Sequence, residues 1–210
     1  MYIAIEGVKG TGKTTLVLRL RNYFDRHQMQ YELVCPTAPL PGYSLIERLT
    51  SQLPWLLNFE SMREILYAHR SNKMASNVNW NAGLILGDRS IVTSYATRLW
   101  SGPPTLQIQR TDAMEPKIAA PDAILYLKAD FNVVLQRIAN RKDRKYGKED
   151  ERPERIRETL QAYEYLMTSK PARIKKTKWI IINADNDPNG VFENALEIIN
   201  QLTSKSNEKQ

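Results

Sequence analysis

The sequence predicts an α/β domain, built as an open, doubly wound sheet of about five parallel strands with helices on both faces. Three observations carry that prediction. Five short apolar runs, at 2–5, 31–34, 84–86, 123–127 and 179–182, lack the polar alternation of a half-exposed sheet and suit strands covered on both sides. Segments with helical periodicity separate them, at roughly 13–28, 43–53, 59–82, 104–118, 130–142, 153–169 and 188–202. The first strand runs directly into a glycine-rich turn that opens a helix.

Taken in order, the first strand (2–5) leads to the turn and to the amphipathic stretch that begins Thr15-Leu16-Val17-Leu18. The second strand ends at Cys35 and meets a proline-rich loop, PTAPLPGY at 36–43. The third strand ends in Gly87-Asp88-Arg89-Ser90. The fourth is followed by a helix and then by a dense charge run at 141–154, interrupted by Gly147 and closed by Pro153. The fifth strand ends at Asn183. In such sheets ligands sit beyond the carboxyl ends of the strands, where Gly7, Pro36, Asp88 and Asn183 fall. One domain is expected over 1–202, with a lid at about 141–153 and a polar tail, 203–210, expected to be disordered.

Composition bounds the class. The chain has 210 residues, 42% hydrophobic and 25% charged, as an ordinary soluble domain does. No apolar run approaches the ~20 residues of a membrane span, and a start that goes directly into a strand leads to the expectation of no signal peptide. The single cysteine, Cys35, excludes an internal disulfide, fits a reducing cytoplasm and reads as a small core residue rather than a nucleophile. Two histidines, His27 and His69, and one cysteine give little support to a metal-ligand cluster or a Ser/His/Asp machine. The net charge of +7 suits a protein that handles polyphosphates and also permits weak nucleic-acid binding, without selecting between them.

The strongest motif is Gly7-Val8-Lys9-Gly10-Thr11-Gly12-Lys13-Thr14, a full match to GxxxxGK[ST]. Glycines at 7, 10 and 12 let backbone N–H groups turn inward around a polyphosphate. The helix that follows adds its positive dipole end. Gly7, Gly10, Thr11, Gly12, Lys13, Thr14 and Thr15 are therefore the expected triphosphate cradle. Lys13 is expected to reach the β- and γ-phosphates from a solvent- and ligand-facing position, and the Thr14 hydroxyl to ligate Mg²⁺. Asp88, at the tip of a buried strand, stands where an enzyme of this kind places its Mg²⁺-linked acid, and Arg89 beside it is suited to an acceptor phosphate.

In RIANRKDRKYGKEDER (137–152), Arg137, Arg141 and Arg144 approach helical spacing before Gly147 breaks it. An Arg-rich segment after the fourth strand is suited to close on the triphosphate and neutralise charge on the transferred phosphoryl; a solvated helix face is the plainer alternative. On the helix EILYAHR (64–70), Tyr67 offers a ring to a base, although helix aromatics are more often core. Trp55, Trp80, Trp100 and Trp179 are read as packing residues.

Together these residues resemble the thymidylate kinase family of nucleoside monophosphate kinases. The resemblance runs thinly over 1–202 through IEGVKGTGKTT (5–15), YAHR (67–70), GDRS (87–90), PDAILYL (121–127), the Arg-rich segment (137–152) and INADND (182–187). It implies a P-loop kinase fold with a lid, MgATP as donor, a nucleoside monophosphate as acceptor, and a homodimer. It implies that Lys13 and Thr14 serve ATP and Mg²⁺, with Asp88 near the metal, Arg89 near the acceptor phosphate and Arg70 near the acceptor base. Arg137, Arg141 and Arg144 fall among the lid arginines, and Asn183, Ala184 and Asp185 fall near the adenine of ATP. Because no arginine lies between Lys9 and Lys13, the chain resembles the subgroup that takes its catalytic arginine from the lid.

Four acceptor-side positions depart from the family pattern. Lys9 replaces an acidic residue, 35–39 carries no arginine, Leu66 replaces a stacking phenylalanine, and Thr97-Arg98 replace an aromatic and a following polar residue. Lys9, Tyr67, Arg70, Arg89, Thr97 and Arg98 are the expected acceptor-binding set. The acceptor is expected to be dTMP or a close analogue, with a preference shifted by these changes. Two other readings stay open: a kinase acting on a modified nucleotide or on DNA, and a nucleotide-binding switch with little turnover.

Overall fold

The computed structural model describes residues 1–38, 45–141, 151–185 and 187–207. Five parallel strands form one sheet: β1 (Tyr2–Glu6), β2 (Glu32–Val34), β3 (Ile85–Asp88), β4 (Ala123–Lys128) and β5 (Lys178–Asn183). Their order is β2-β3-β1-β4-β5, so β2 and β3 lie on one side of β1 and β4 and β5 on the other. The turn after β1 therefore lies at the switch point, where β3 and β4 diverge and a crevice opens. Ile3, Ile5, Leu86, Ile124 and Leu125 are fully buried between the helical layers, as unbroken aliphatic runs require.

The helices are α1 (Lys13–Arg26), α2 (Leu45–Gln52), α3 (Glu60–Ala75), α4 (Ile91–Arg98), α5 (Pro104–Met114), α6 (Phe131–Ala139), α7 (Pro153–Ser169) and α8 (Pro188–Asn207). Short 3-10 turns lie at Pro54–Asn58, Leu99–Ser101 and Ala172–Ile174. On α1, Leu16, Val17, Leu20 and Phe24 make the buried stripe.

The structure differs from the sequence expectations at four places. Helix α4 was not expected. All of its residues but Thr97 are buried, so no polar face gave it a helical period; Ser90 caps it, its hydroxyl accepting from the Val92 N–H. α3 and α5 stop at Ala75 and Met114, seven and four residues short of the expected ends, and Pro116 follows the second. The segment 203–207, expected as disordered tail, continues α8, and Leu202 packs against the core. β5 is an edge strand with Ile181 55% exposed, not a strand covered on both faces. The lid interior at 142–150, including Arg144, and most of the proline-rich loop lie outside the described residues.

A buried carboxylate ties the layers beneath the switch point. Glu6, at the end of β1, is fully buried. Its Oε1 accepts from the Ser90 N–H at 2.8 Å and the Ser90 hydroxyl at 2.7 Å. Its Oε2 accepts from Thr93 at 2.6 Å and Tyr163 at 2.8 Å. Four donors from α4, its cap and α7 thus offset the desolvation of one charge. Tyr163→Phe removes one of them; urea unfolding is expected to show a loss of about 1.5–3 kcal/mol with an unchanged m-value. A loss below a few tenths would show that this hydroxyl does not support the charge.

Candidate active site

The donor half is built on the turn Gly7–Gly12. Gly7 has φ 144°, and a Cβ there would lie 2.7 Å from the Leu127 carbonyl oxygen, so no side chain fits between the turn and β4. Gly12 caps α1 at φ 95°, and no heavy atom lies within 4 Å of its absent Cβ: this is the open floor of a cradle. Thr11 holds the turn by donating to the Val8 carbonyl at 2.9 Å.

Lys13 is not solvent-facing as expected. It is 5% exposed, and its Nζ donates to the same Val8 carbonyl at 2.7 Å. Burial, with Arg89 and Arg141 in support, holds its ammonium well below the usual lysine range, while Glu6 and Asp88 pull the other way. Arg89, Asp88 and Arg141 thus stand near enough to Lys13 to act on its charge. Phosphate oxygens delivered there would favour the charged form of the lysine. Thr14 is exposed at the start of α1, and Asp88 ends β3 half-buried, in register with Ile5 of β1. No cluster of three or more His, Cys, Asp or Glu suited to a metal occurs among the described residues. The hydroxyl and the carboxylate fit Mg²⁺ completed by phosphate oxygens and water, the usual way this ion is held.

Beyond the cradle a cavity of about 360 Å³ is bounded by Gly10, Thr15, Arg19, Arg137, Arg141 and Ala184. Arg137 donates to the Ala184 carbonyl at 2.7 Å. Of the expected 183–185 turn, only Ala184 lines this cavity. Asn183 and Asp185 shape the turn, their side-chain oxygens accepting from the Asp185 N–H at 2.9 Å and the Asp130 N–H at 2.8 Å. Arg19 was not expected. It stands four residues after Thr15, one turn along α1, and that spacing was the available signal.

The acceptor half is a second cavity of about 290 Å³, whose lining includes Lys9, Arg63, Tyr67, Arg89, Thr97 and Arg98. Tyr67 is 40% exposed, whereas Leu66 is buried, so the tyrosine and not the residue before it meets the cavity. Arg89 adopts φ 78°, a left-handed backbone rare for arginine, its N–H donating to the Ile5 carbonyl. Among the described residues its guanidinium makes no hydrogen bond or ion pair. Lys9 pairs with Glu151 at 3.1 Å.

Two expected acceptor residues are engaged elsewhere. Arg70 does not line the cavity; Glu47 takes its guanidinium at 2.6 and 2.9 Å. Arg98 borders the cavity, but its 3%-exposed side chain is bound to Glu115 at 2.8 Å and lies 3.9 Å from Glu64. The Thr97 hydroxyl donates to the Thr93 carbonyl at 2.9 Å. Arg63 and Trp100 were not assigned to the site and do line it. Trp80 and Trp179 pack on Tyr2 and Tyr126 as expected of packing residues, but Trp55 is 54% exposed.

A glycine cradle at a sheet switch point, a buried lysine and an adjoining cationic cavity define a phosphotransferase of the P-loop class. The family model for thymidylate kinase matches residues 5–195. A thymidylate kinase from Mesoplasma florum is 26% identical over 215 residues, covering 95% of this chain and 94% of that protein. A probable thymidylate kinase 1 from Saccharolobus solfataricus is 30% identical over 207 residues, covering 94% and 95%. Among solved structures, deoxyadenosine kinase from M. mycoides with bound dATP shares the fold at TM-score 0.60 and 18% identity, covering 95% of this chain and 100% of that one. The chain belongs to the thymidylate kinase family and is a nucleoside monophosphate kinase.

Cys35 follows β2 and feels Asp88 across the strand ends; burial, then that carboxylate, pushes its thiol up to about 11. Less thiolate at a given pH means slower alkylation. Iodoacetamide at pH 8 is expected to modify Cys35 about 100-fold more slowly than an ordinary thiol, with the rate rising until pH 11. A rate equal to that of glutathione would contradict the burial.

Proposed function

We propose that the protein transfers the γ-phosphoryl of MgATP to the 5′-phosphate of dTMP or a close analogue. The observation that carries this is a buried lysine, Lys13, in a glycine cradle beside a cavity of nucleotide size lined by Arg89, whose guanidinium has no ion pair among the described residues. Lys13 exchanges the Val8 carbonyl for phosphate oxygens and neutralises charge on the transferred group. Arg137 and Arg141 border the donor base and its phosphates, with Arg144 as a third arginine from the lid. Thr14 and Asp88 would hold Mg²⁺, which would supply positive charge against the phosphates. Arg89 holds the acceptor phosphate in line, and Tyr67 gives the acceptor base a ring to stack on. Positioning and electrostatics do this work; no residue forms a covalent intermediate.

ADP release from MgATP across a panel of nucleoside monophosphates, with a no-acceptor control and a DNA-oligonucleotide lane, tests the proposal. dTMP or a related pyrimidine deoxynucleotide is expected to stimulate release most. Lys13→Ala is expected to lower it at least 100-fold, with the melting temperature shifted by only a few degrees. Stimulation by DNA alone, by no acceptor, or near-normal turnover in Lys13→Ala would each overturn it.

We also propose a homodimer in the cytoplasm. Leu49, Leu53, Trp55, Phe59 and Ile65 are exposed along α2, the turn after it and α3, and Trp55 and Phe59 pack edge to face, apolar side chains of the kind that line an interface. The free Cys35 suits a reducing compartment. Light scattering is expected to give twice the 24.2 kDa chain mass, falling to one chain mass in Trp55→Glu/Phe59→Glu. A monomeric native protein would remove the dimer.

A further inference from the structure

Between the P-loop and α7 lies a smaller cavity of about 90 Å³, the volume of roughly three water molecules. It opens off the acceptor cavity, sharing Lys9, Arg89, Thr97 and Trp100 with it. One wall is the turn itself at Gly7, Val8 and Lys9; the opposite wall is α7, where Arg155 projects.

Arg155 is fixed rather than loose. Its guanidinium carbon sits 3.0 Å from the centre of the Trp100 ring, and one of its nitrogens lies 3.0 Å from Glu158. Three cations, Lys9, Arg89 and Arg155, therefore face one small space. Among the described residues no carboxylate lines it. Glu151 pairs with Lys9 and Glu158 with Arg155 from outside the cavity, and Arg89 has no ion pair among the described residues. Glu6 lies behind Thr93 and Tyr163, its oxygens already accepting four hydrogen bonds. The hydroxyls on the walls add no competing anion: Thr97 donates to a carbonyl and Tyr163 to Glu6. Glu151 and Glu158 offset two of these cations from outside, and an anion within the space, which is of phosphate size, would meet all three.

Resting on the kinase reading above, we infer that this cavity is an oxyanion subsite for the acceptor, and that Arg155 is a phosphate-binding residue of it, seated by Trp100. The position has no arginine from the loop after β2 to help, since 35–38 holds Cys35, Pro36, Thr37 and Ala38. The phosphate it takes is either the acceptor's 5′-phosphate or a second phosphate on the acceptor's sugar.

The test is calorimetry on the full chain with the P-loop filled by Mg²⁺ and a nonhydrolysable ATP analogue. Thymidine, dTMP, thymidine 3′,5′-bisphosphate and inorganic phosphate are titrated into the native protein, Arg155→Leu and Arg155→Lys. Arg155→Leu keeps an apolar chain on Trp100 and removes only the charge. It is expected to weaken dTMP about 10- to 100-fold and leave thymidine within twofold, with Arg155→Lys recovering part of the loss. If the subsite serves the sugar phosphate, the bisphosphate alone weakens by that factor. Equal weakening of thymidine, or no weakening of any phosphate, overturns the subsite and leaves the kinase proposal intact. Binding of inorganic phosphate that Arg155→Leu abolishes, with no nucleotide bound by any variant, upholds the subsite and overturns the kinase proposal.

Discussion

The carboxylate of Glu6 is the constraint on which the rest of this site depends. It ends the central strand, is fully buried, and is held by donors from two helices distant in sequence. One buried charge thus fixes where α4 and α7 stand relative to the P-loop. Those helices carry Thr93, Thr97, Arg98 and Arg155, which wall the acceptor side. The same charge sits within reach of Lys13 and supports its ammonium against burial. Scaffold and electrostatics meet at a single side chain, so the phosphate-binding turn and the acceptor pocket share one reference point.

Around that point the acceptor pocket is lined by residues engaged with one another. Arg98 is sunk between Glu115 and Glu64, and Glu64 is shared with Arg110 at 2.7 Å. Arg70 is clamped by Glu47 beside α2. Arg98 builds a wall while Arg70 stands outside the pocket; among the described residues Arg89 is the one of these three arginines whose guanidinium has no hydrogen bond or ion pair. Its left-handed backbone stores strain, and among the described residues its guanidinium has no ion pair.

The fold was legible because its signals are local. Aliphatic runs at 2–5, 84–86 and 123–127, and glycines at 7, 10 and 12, specify strands and a phosphate turn without reference to anything distant. What stayed hidden was set by burial and by long-range pairing. IVTSYATR is buried nearly all round, so α4 had no period to detect. Arg70 and Arg98 look like free cations in sequence, and their partners lie 23 and 17 residues away. Glu6 sat next to the strongest motif and was passed over, because a glutamate at a strand end reads as solvent-exposed. Arg155 belongs to a charge-rich stretch, and only the Trp100 ring distinguishes it from its neighbours.

The contact between Lys13 and the Val8 carbonyl has a consequence for turnover. The loop supplies its own lysine with an acceptor, so an incoming phosphate displaces a bond of 2.7 Å rather than meeting an unsatisfied ammonium. Binding then gains only the difference between two hydrogen bonds, not the whole of one. A catalyst that must let ADP go after every cycle benefits from that internal rival: the departing product is replaced at once, within the same loop, and the P-loop lysine never stands unpaired between rounds.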